Sequence, residues 1–251
     1  MGAVRTVDYP IGHFLYKAWT ISTAATGFTL PYGTKEIMWY GNKVVYLQLG
    51  PVLKGLFFTQ DAGASYTDYT AYARQMGTTH EVILNSMNTL ANGDWLTAIF
   101  SHKAAGVYVD VHDVNGTDVA LAGYYDAGGS WVSASITDGT DSSACFAQDG
   151  VISWTPAAAW RPGTYTFTVG GKDVAVNGYA MRFEVDGAMD SDVNLYRVVP
   201  LSDTTTYPGA YLQASTSYVF SVDPEKTGSV HATKVTDDCT AYLTLISSEV
   251  E

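Results

Sequence analysis

The sequence predicts an all-β chain: an antiparallel, jelly-roll-like β-sandwich, with a smaller flanking β unit formed by the N- and C-terminal segments. Short stretches alternate apolar and polar residues, and Gly, Asn, Asp and Pro separate them at spacings of roughly ten residues, as in antiparallel sandwiches. The chain has 18 Tyr, 24 Gly and 47% hydrophobic residues, and it is also rich in Thr and Val. This composition favours strands over helices and argues against disorder.

The clearest alternation lies in residues 107–114. Val107, Val109 and Val111 alternate with polar or amphipathic residues, which sends the valines to one face of a strand. Asn115-Gly116 then interrupts the pattern, and this pair tolerates the positive φ angles of a type I′ turn. We therefore expect residues 107–114 and 117–125 to form a β-hairpin.

The same alternation of strands and turns continues to residue 185. The sequence predicts a turn at 126–129 and a second turn at 138–141. In the last strand, Tyr179, Met181, Phe183 and Val185 should share one face. The strands predicted in this stretch are 131–132, 151–154, 164–169 and 178–185.

Both ends of the chain also carry strand patterns. Residues 37–40 and 44–49 flank the turn pair Gly41-Asn42 and predict a second hairpin, while residues 67–74 predict a loop or a short helix. The further predicted strands are 56–58, 81–84, 95–100, 211–214, 217–222, 229–235 and 241–246.

These patterns predict four segments, although one large all-β domain is also possible at this length. They are an N-terminal arm (1–26), an N-terminal hairpin unit (27–63), the β-sandwich domain (64–200) and a C-terminal β unit (201–251). The stretch Tyr242-Leu-Thr-Leu resembles Tyr46-Leu-Gln-Leu, which suggests that the C-terminal unit pairs with 27–63. Within the arm, residues 14–21 fit an ordinary edge strand equally well.

Composition excludes several classes of function. The formal net charge is −12, and the 13 Lys and Arg residues are scattered, so no basic stripe is available for nucleic acid. No apolar run reaches the length of a membrane span, and the N-terminus lacks a signal-peptide pattern. We expect neither a secreted precursor nor a membrane protein. Cys145 and Cys239 show no zinc spacing and no disulfide framework. They should be buried small hydrophobes or surface thiols without a role, consistent with a reducing cytoplasm.

Motifs of catalysis or cofactor binding are absent from the sequence. It contains no nucleophile elbow, P-loop, dinucleotide-binding glycines or HExxH. Asp110 and His112 could touch across one strand face, but strand alternation explains the pair without function. Asp190 begins a stretch like a calcium loop, yet Leu195 occupies the position that requires Gly. We therefore expect no enzyme activity, metal or cofactor.

Several short motifs follow one another between residues 64 and 200. They are TDYTAYA (67–73), GDWL (93–96), GYYDAGGSW (123–131), DGT (138–140), DGVISWTP (149–156), AAWRP (158–162) and GYAMRFEV (178–185). Their order resembles a β-sandwich module of structural proteins in tailed bacteriophages. The sequence departs from that module at Ala180 and Met181, where an aromatic residue is common, and in a long insert at 162–177.

The aromatic residues of this region allow two interpretations. Tyr124, Tyr125, Trp131, Trp154 and Trp160 could stack on a sugar, as in a carbohydrate-binding module. Aromatic residues on sandwich strands more often fill the space between the sheets. The sequence therefore favours the core for the three tryptophans.

The resemblance implies a virion structural protein, made in the host cytoplasm. We expect a capsid decoration (cement) protein that binds the outside of the shell and bridges neighbouring subunits. Its partners would be the major capsid protein or other virion proteins, with self-association possible as a trimer. Tyr9, Phe14, Tyr16 and Trp19 of the N-terminal arm are the expected contact residues. The alternatives are a tail or baseplate component and a glycan-binding adhesin module; an enzyme ranks last.

Overall fold

A computed structural model describes residues 14–21, 26–30, 34–75, 78–202, 210–224, 227–235 and 237–247. These residues are nearly all β, with several antiparallel sheets, so the predicted all-β sandwich class is confirmed. The helical pieces are α1 (Thr70–Ala73) and a 3₁₀ turn at Leu90–Asn92. The strands are β1 (Phe14–Ile21), β2 (Thr26–Thr29), β3 (Thr34–Gly41), β4 (Val45–Pro51), β5 (Leu53–Gln60), β6 (Thr67–Asp68), β7 (Val82–Ile83), β8 (Asp94–Phe100), β9 (Ala104–Asp113), β10 (Leu121–Asp126), β11 (Trp131–Ala134), β12 (Ile136–Asp138), β13 (Gly150–Trp154), β14 (Pro162–Val169), β15 (Lys172–Val185), β16 (Asn194–Ser202), β17 (Ala210–Leu212), β18 (Thr216–Ser221), β19 (Thr227–Lys234) and β20 (Cys239–Ser247).

The larger sandwich packs a seven-stranded sheet against a five-stranded sheet. The first has the order β11-β10-β15-β8-β5-β6, with β14 paired to β15, and the second has the order β12-β13-β9-β16-β7. Inward side chains of both sheets, among them Phe100, Val109, Trp154 and Phe183, form one core together with Trp160 of the β13–β14 connection. Since the inward residues alternate with outward ones along each strand, the opposite face of the seven-stranded sheet remains available for a site.

The smaller sandwich is built from strands at both ends of the described chain. One four-stranded sheet has the order β1-β20-β3-β18 and the other the order β17-β4-β19-β2. Their shared core includes Ile37, Trp39, Leu47, Val230 and Leu243. The strands of segment 27–63 that carry this core thus pair with strands of segment 201–251.

The two sandwiches meet where β16 lies against β4 and β19. Ser229 Oγ donates a hydrogen bond to the carbonyl oxygen of Pro200 over 2.6 Å, and Ser202 Oγ donates to that of Leu49. A Cβ atom at Gly50 would lie 2.4 Å from the Pro200 carbonyl oxygen, so only glycine permits this approach. The contact is therefore close-packed and hydrogen-bonded.

The hairpin predicted around Asn115-Gly116 does not form. β9 belongs to the five-stranded sheet and β10 to the seven-stranded sheet, so the connection crosses from one sheet to the other. Neither Asn115 nor Gly116 has a positive φ, which a type I′ turn requires. The Asn115 amide is instead buried, and it donates to the carbonyl oxygens of Thr117 and Cys145 over 3.0 and 3.1 Å.

The prediction of a hairpin around Gly41-Asn42 is also wrong, because the chain crosses from one sheet to the other here too. β3 and β4 lie in the two facing sheets of the smaller sandwich, and neither Gly41 nor Asn42 has a positive φ. The Asn42 side chain accepts a hydrogen bond from the amide of Thr240 over 2.9 Å. This bond ties the corner to β20, the neighbour of β3.

Other sequence predictions agree with the structure. β10 and β11 form a hairpin around 126–129, where Gly128 and Gly129 have positive φ, and the predicted C-terminal strands correspond to β17–β20. The short helix α1 lies in the stretch predicted as loop or helix.

Two assignments differ from the structure. β5 is predicted in segment 27–63 but pairs with β8 in the larger sandwich, and the insert at 162–177 forms the β14–β15 hairpin.

The arm predicted at 1–26 contains a strand that ends a sheet. β1 pairs with β20 along its whole length and lies at the edge of its sheet, which agrees with the edge-strand alternative for residues 14–21. Phe14, Tyr16 and Trp19 are residues of this strand, whereas Tyr9 lies outside the described residues.

In the parts of the chain that the structure describes, neither helical piece combines the length and apolar character needed to cross a bilayer.

Candidate ligand-binding groove

A groove lies between the outer face of the seven-stranded sheet and the β14–β15 hairpin, which folds back over that face. The Phe167 ring of β14 stacks on the Phe57 ring of β5, with centroids 3.8 Å apart and planes 8° from parallel. The amide of Tyr66 donates to the carbonyl oxygen of Thr168 over 2.8 Å. These contacts hold the hairpin against the sheet and fix the width of the groove.

The floor of the groove is a cross-strand row of side chains centred on Arg182. Arg182 of β15 lies opposite Thr97 of β8 on one side and opposite Tyr124 of β10 on the other. Its guanidinium carbon is 4.7 Å from the ring centroid of Trp131 and 5.2 Å from that of Trp95. A guanidinium at these distances is attracted by the negative face of each ring, so the cation and the two indoles form one cluster.

Glu184 neutralises the charge of Arg182. The Arg182 Nε and Glu184 Oε1 atoms are 2.8 Å apart, within ion-pair distance although outside the geometry of a hydrogen bond, and both side chains are largely buried. Burial raises the pKa of Glu184, while Arg182 and a hydrogen bond from Tyr124 oppose that rise. None of the described residues accepts a hydrogen bond from the terminal Nη nitrogens of Arg182, which leaves these donors for a ligand.

A hydrogen bond fixes one wall of the groove, and a partly buried tyrosine forms another. Burial raises the pKa of Tyr66, and the neighbouring Trp95 indole opposes that rise. The hydroxyl of Tyr165 donates to Asp126 Oδ2 over 2.6 Å. The open groove has a volume of about 280 Å³ and is lined by Tyr66, Trp95, Thr97, Trp131, Thr164, Tyr165, Thr166, Phe167 and Arg182.

The lining combines aromatic surface with hydroxyl groups and one neutralised cation. Such a surface can hold a small ligand by stacking and orient it by a few hydrogen bonds. The hydroxyl groups of the lining belong to tyrosines and threonines, which can donate and accept hydrogen bonds to a ligand.

The structure corrects one of the three tryptophan predictions. Trp154 and Trp160 are buried, as the sequence favoured, but Trp131 is 36% exposed and lies at the groove. Its strand β11 ends the seven-stranded sheet, and Trp131 pairs with Asp126, which places it on the outer face with Tyr124. Sequence reasoning missed Trp95 and Arg182 as site residues. The only indication in the sequence was that each of them alternates with core residues along its strand, which places it on the opposite side of the sheet.

A second cluster surrounds His112, whose predicted neighbour was Asp110. Asp110 instead forms an ion pair with Arg197. His112 Nδ1 lies 2.6 Å from Glu81 Oε1 and 3.3 Å from Asp113 Oδ2, and the His112 ring stacks on Tyr196 with centroids 4.3 Å apart. The ligand atoms of these three side chains lie within 4.8 Å of one another, on the surface of the protein.

Asp190, the first residue of the calcium-like stretch, fixes the crossing loop. Its carboxylate accepts hydrogen bonds from the amide of Gly116, over 2.6 Å, and from the hydroxyl of Thr117. These bonds, led by that from Thr117, lower the pKa of Asp190. The carboxylate oxygens thus satisfy donors of this chain.

An exposed apolar face lies on the outer side of the sheet β1-β20-β3-β18. We call it the β3 face; it consists of Met38, Tyr40, Val219 and Tyr242, which are 42%, 40%, 59% and 40% exposed. The residues are adjacent across strands, since Met38 lies opposite Val219 and Tyr40 lies opposite Tyr242.

Comparison with known proteins returns no match among protein-family models, curated proteins or solved structures.

Proposed function

We propose that this chain is a structural subunit of a phage virion, and specifically a capsid decoration protein that bridges neighbouring subunits on the outside of the shell. The observation that carries the proposal is the β3 face. Its four large side chains are contiguous, and three strands of one sheet contribute them. A contiguous exposed apolar surface of this kind commonly marks a site of protein association.

The charge distribution supports an assembly role. Only 15% of the residues are charged, and the net charge is −12. The four residues of the β3 face are uncharged, so a partner that covers these four alone desolvates no ion; the half-buried Glu36 borders them on the same side of β3. Negative charge on the rest of the surface would keep free subunits soluble, because their mutual repulsion opposes aggregation before they bind the shell.

The edges of the same sheet offer a second type of contact. Among the described strands, β1 and β18 end this sheet, so each has one unpaired row of backbone groups. A strand from the major capsid protein, another virion protein or a second copy of this chain could pair there without any charge. β1 carries Phe14, Tyr16 and Trp19, the contact residues expected from the sequence.

Co-sedimentation of the purified protein with empty shells of its phage tests this function. The wild-type protein should bind saturably, near one copy or one trimer per capsomer position. The Tyr40→Ser/Tyr242→Ser variant should bind at least tenfold more weakly, the ratio equivalent to about 1.4 kcal/mol. Tyr211→Ser is the matched control, because Tyr211 is 65% exposed on the other sheet of the smaller sandwich.

Two results would contradict the proposal. Absence of saturable binding to shells would reject decoration and direct the search to tail or baseplate partners. Equal binding by the wild type and the double variant would reject the β3 face as the contact. Sedimentation velocity of the free protein determines whether it assembles as the predicted trimer before it binds.

A further inference from the structure

We infer that the groove beside Trp131 binds a neutral sugar ring. This inference is independent of the proposed virion role, because the groove lies on the larger sandwich and the β3 face on the smaller one. It rests on the combination of exposed indole surface, unused guanidinium donors and threonine hydroxyls in one open groove.

Aromatic rings in the groove suit one face of a pyranose. A pyranose presents C–H groups on its faces and hydroxyl groups around its edge, so it packs on an aromatic ring while its rim remains polar. Trp131 is 36% exposed, and Trp95 lies across the Arg182 guanidinium from it. A sugar that stacks on an indole ring buries apolar surface and is held in a defined orientation.

Polar groups around these rings suit the hydroxyl rim. The terminal nitrogens of Arg182 have no acceptor among the described residues, and a planar guanidinium can donate to two neighbouring oxygens at once. The hydroxyls of Thr97 and Thr166 can both donate and accept, and the Thr164 hydroxyl, which donates to Asn177 Oδ1 over 2.6 Å, can still accept. A ring with several hydroxyls can satisfy these groups together, whereas an apolar ligand would leave them unpaired.

The charges favour a neutral ring over an acidic one. Glu184 lies 2.8 Å from the Arg182 Nε atom, so the pair has no net charge, and Arg182 is the only Lys or Arg that lines the groove in the described structure. The chain as a whole has a net charge of −12, which repels polyanions. Uronate-containing polysaccharides and nucleic acids are therefore the poorer ligands.

The size and rigidity of the groove fit a short ligand. Its volume of about 280 Å³ is slightly below the usual range of small-molecule sites, roughly 300–1,000 Å³, which favours one or two sugar units. The Tyr165–Asp126 hydrogen bond and the Phe57–Phe167 ring stack hold aromatic walls in place before any ligand arrives. Such preorganisation reduces the entropy lost on binding.

Saturation-transfer NMR with the full chain tests the inference. The probes are glucose, galactose, mannose, N-acetylglucosamine, fucose and rhamnose at millimolar concentration, with glucuronate and uridine as the acidic and nucleoside alternatives. At least one neutral sugar should show saturable transfer. Trp131→Ala should weaken it at least tenfold, because the stacking surface is lost, and Tyr211→Ala should leave it unchanged.

A second measurement uses the wild-type protein, so it does not depend on a variant that folds. In a ¹⁵N spectrum, the indole N–H signals of Trp131 and Trp95 should shift on addition of the binding sugar. That of Trp39, buried in the smaller sandwich, should not shift. Transfer from no neutral sugar, equal transfer with Trp131→Ala, or tighter binding of glucuronate or uridine would overturn the inference. A failure of shell binding alone would leave these results unaffected.

Discussion

The hydroxyl of Tyr165 donates a hydrogen bond to Asp126 Oδ2 over 2.6 Å, and this bond joins the β14–β15 hairpin to the β10–β11 turn. The other carboxylate oxygen of Asp126 accepts from the amides of Gly128 and Gly129, over 2.9 and 2.6 Å. One side chain therefore shapes the turn that precedes Trp131 and positions a wall of the groove. Burial raises the pKa of Tyr165, so its hydroxyl stays protonated as a donor.

Substitution Tyr165→Phe should lower the free energy of unfolding by about 1–3 kcal/mol, the range for a lost hydrogen bond to a charged group. The Asp126 carboxylate remains largely buried and loses one of its donors. Chemical denaturation measures the difference. Tyr211→Phe is the matched control, since its ring is exposed; equal stability of Tyr165→Phe and the wild type would contradict the role of this bond.

Asn115→Ala should lower the free energy of unfolding by about 2–4 kcal/mol, because the buried Cys145 carbonyl oxygen and the partly buried Thr117 carbonyl oxygen lose a donor and two amides lose an acceptor. Thermal denaturation followed by circular dichroism measures this loss. Asp118→Ala is the control on the same loop, because Asp118 is exposed. A loss no greater than that of Asp118→Ala would indicate a solvent-exposed turn instead of the buried crossing.

Acid should destabilise the fold through His231. Burial lowers the pKa of His231 to about 4, whereas an unfolded histidine titrates near pH 6.5. The unfolded chain therefore binds more protons between these values, and stability falls as the pH drops from about 6.5 towards 4, by about 3 kcal/mol in total. Denaturation curves at several pH values should show a smaller loss for His231→Gln than for the wild type.

The control for this pH dependence is His80→Gln, because His80 is exposed. His102 has a pKa lowered by burial and contributes in the same direction, so the informative quantity is the difference in slope between His231→Gln and the wild type. Identical slopes for both proteins would contradict the burial of a neutral His231.

The thiol of Cys145 should resist alkylation in the folded protein. Burial, and secondarily the Asp138 carboxylate, raises the pKa of Cys145 to about 12. At pH 8 almost no thiolate is present, and the side chain is inaccessible. Peptide mass spectrometry after iodoacetamide treatment should find this cysteine unmodified in native protein and modified in denaturant. Modification at equal rates in native and denatured protein would show that the Cys145 thiol is exposed to solvent by frequent local unfolding.

Sequence patterns located most strands because alternation and turn residues are local properties. They could not assign each strand to a sheet. Asn115-Gly116 and Gly41-Asn42 have the composition of tight turns, but the chain crosses between facing sheets at both places. Hydrogen bonds to residues distant in sequence favour the crossing over a tight turn. The Asn115 side-chain amide donates to the Cys145 carbonyl oxygen, and the Asn42 side chain accepts from the Thr240 amide.

The groove was less predictable than the fold, since its residues converge from distant parts of the chain. Trp131 looked like a core residue because tryptophan on a sandwich strand usually is one. It is exposed because β11 ends its sheet and because Trp131, like its partner Asp126, lies on the side of the sheet opposite the core. The wall formed by Phe167 depends on its stack with Phe57, which no local pattern reports.

Because strands from both ends of the chain form the smaller sandwich, it can fold only after the larger sandwich has been synthesised. β5 to β16 follow one another without interruption, so the larger sandwich can fold on the ribosome once residue 202 has emerged. β3 and β4 must wait until β17 to β20 have been translated. During that interval the apolar sides of Ile37, Trp39 and Leu47 lack their partners, and a nascent chain stalled there would be a natural substrate for chaperones.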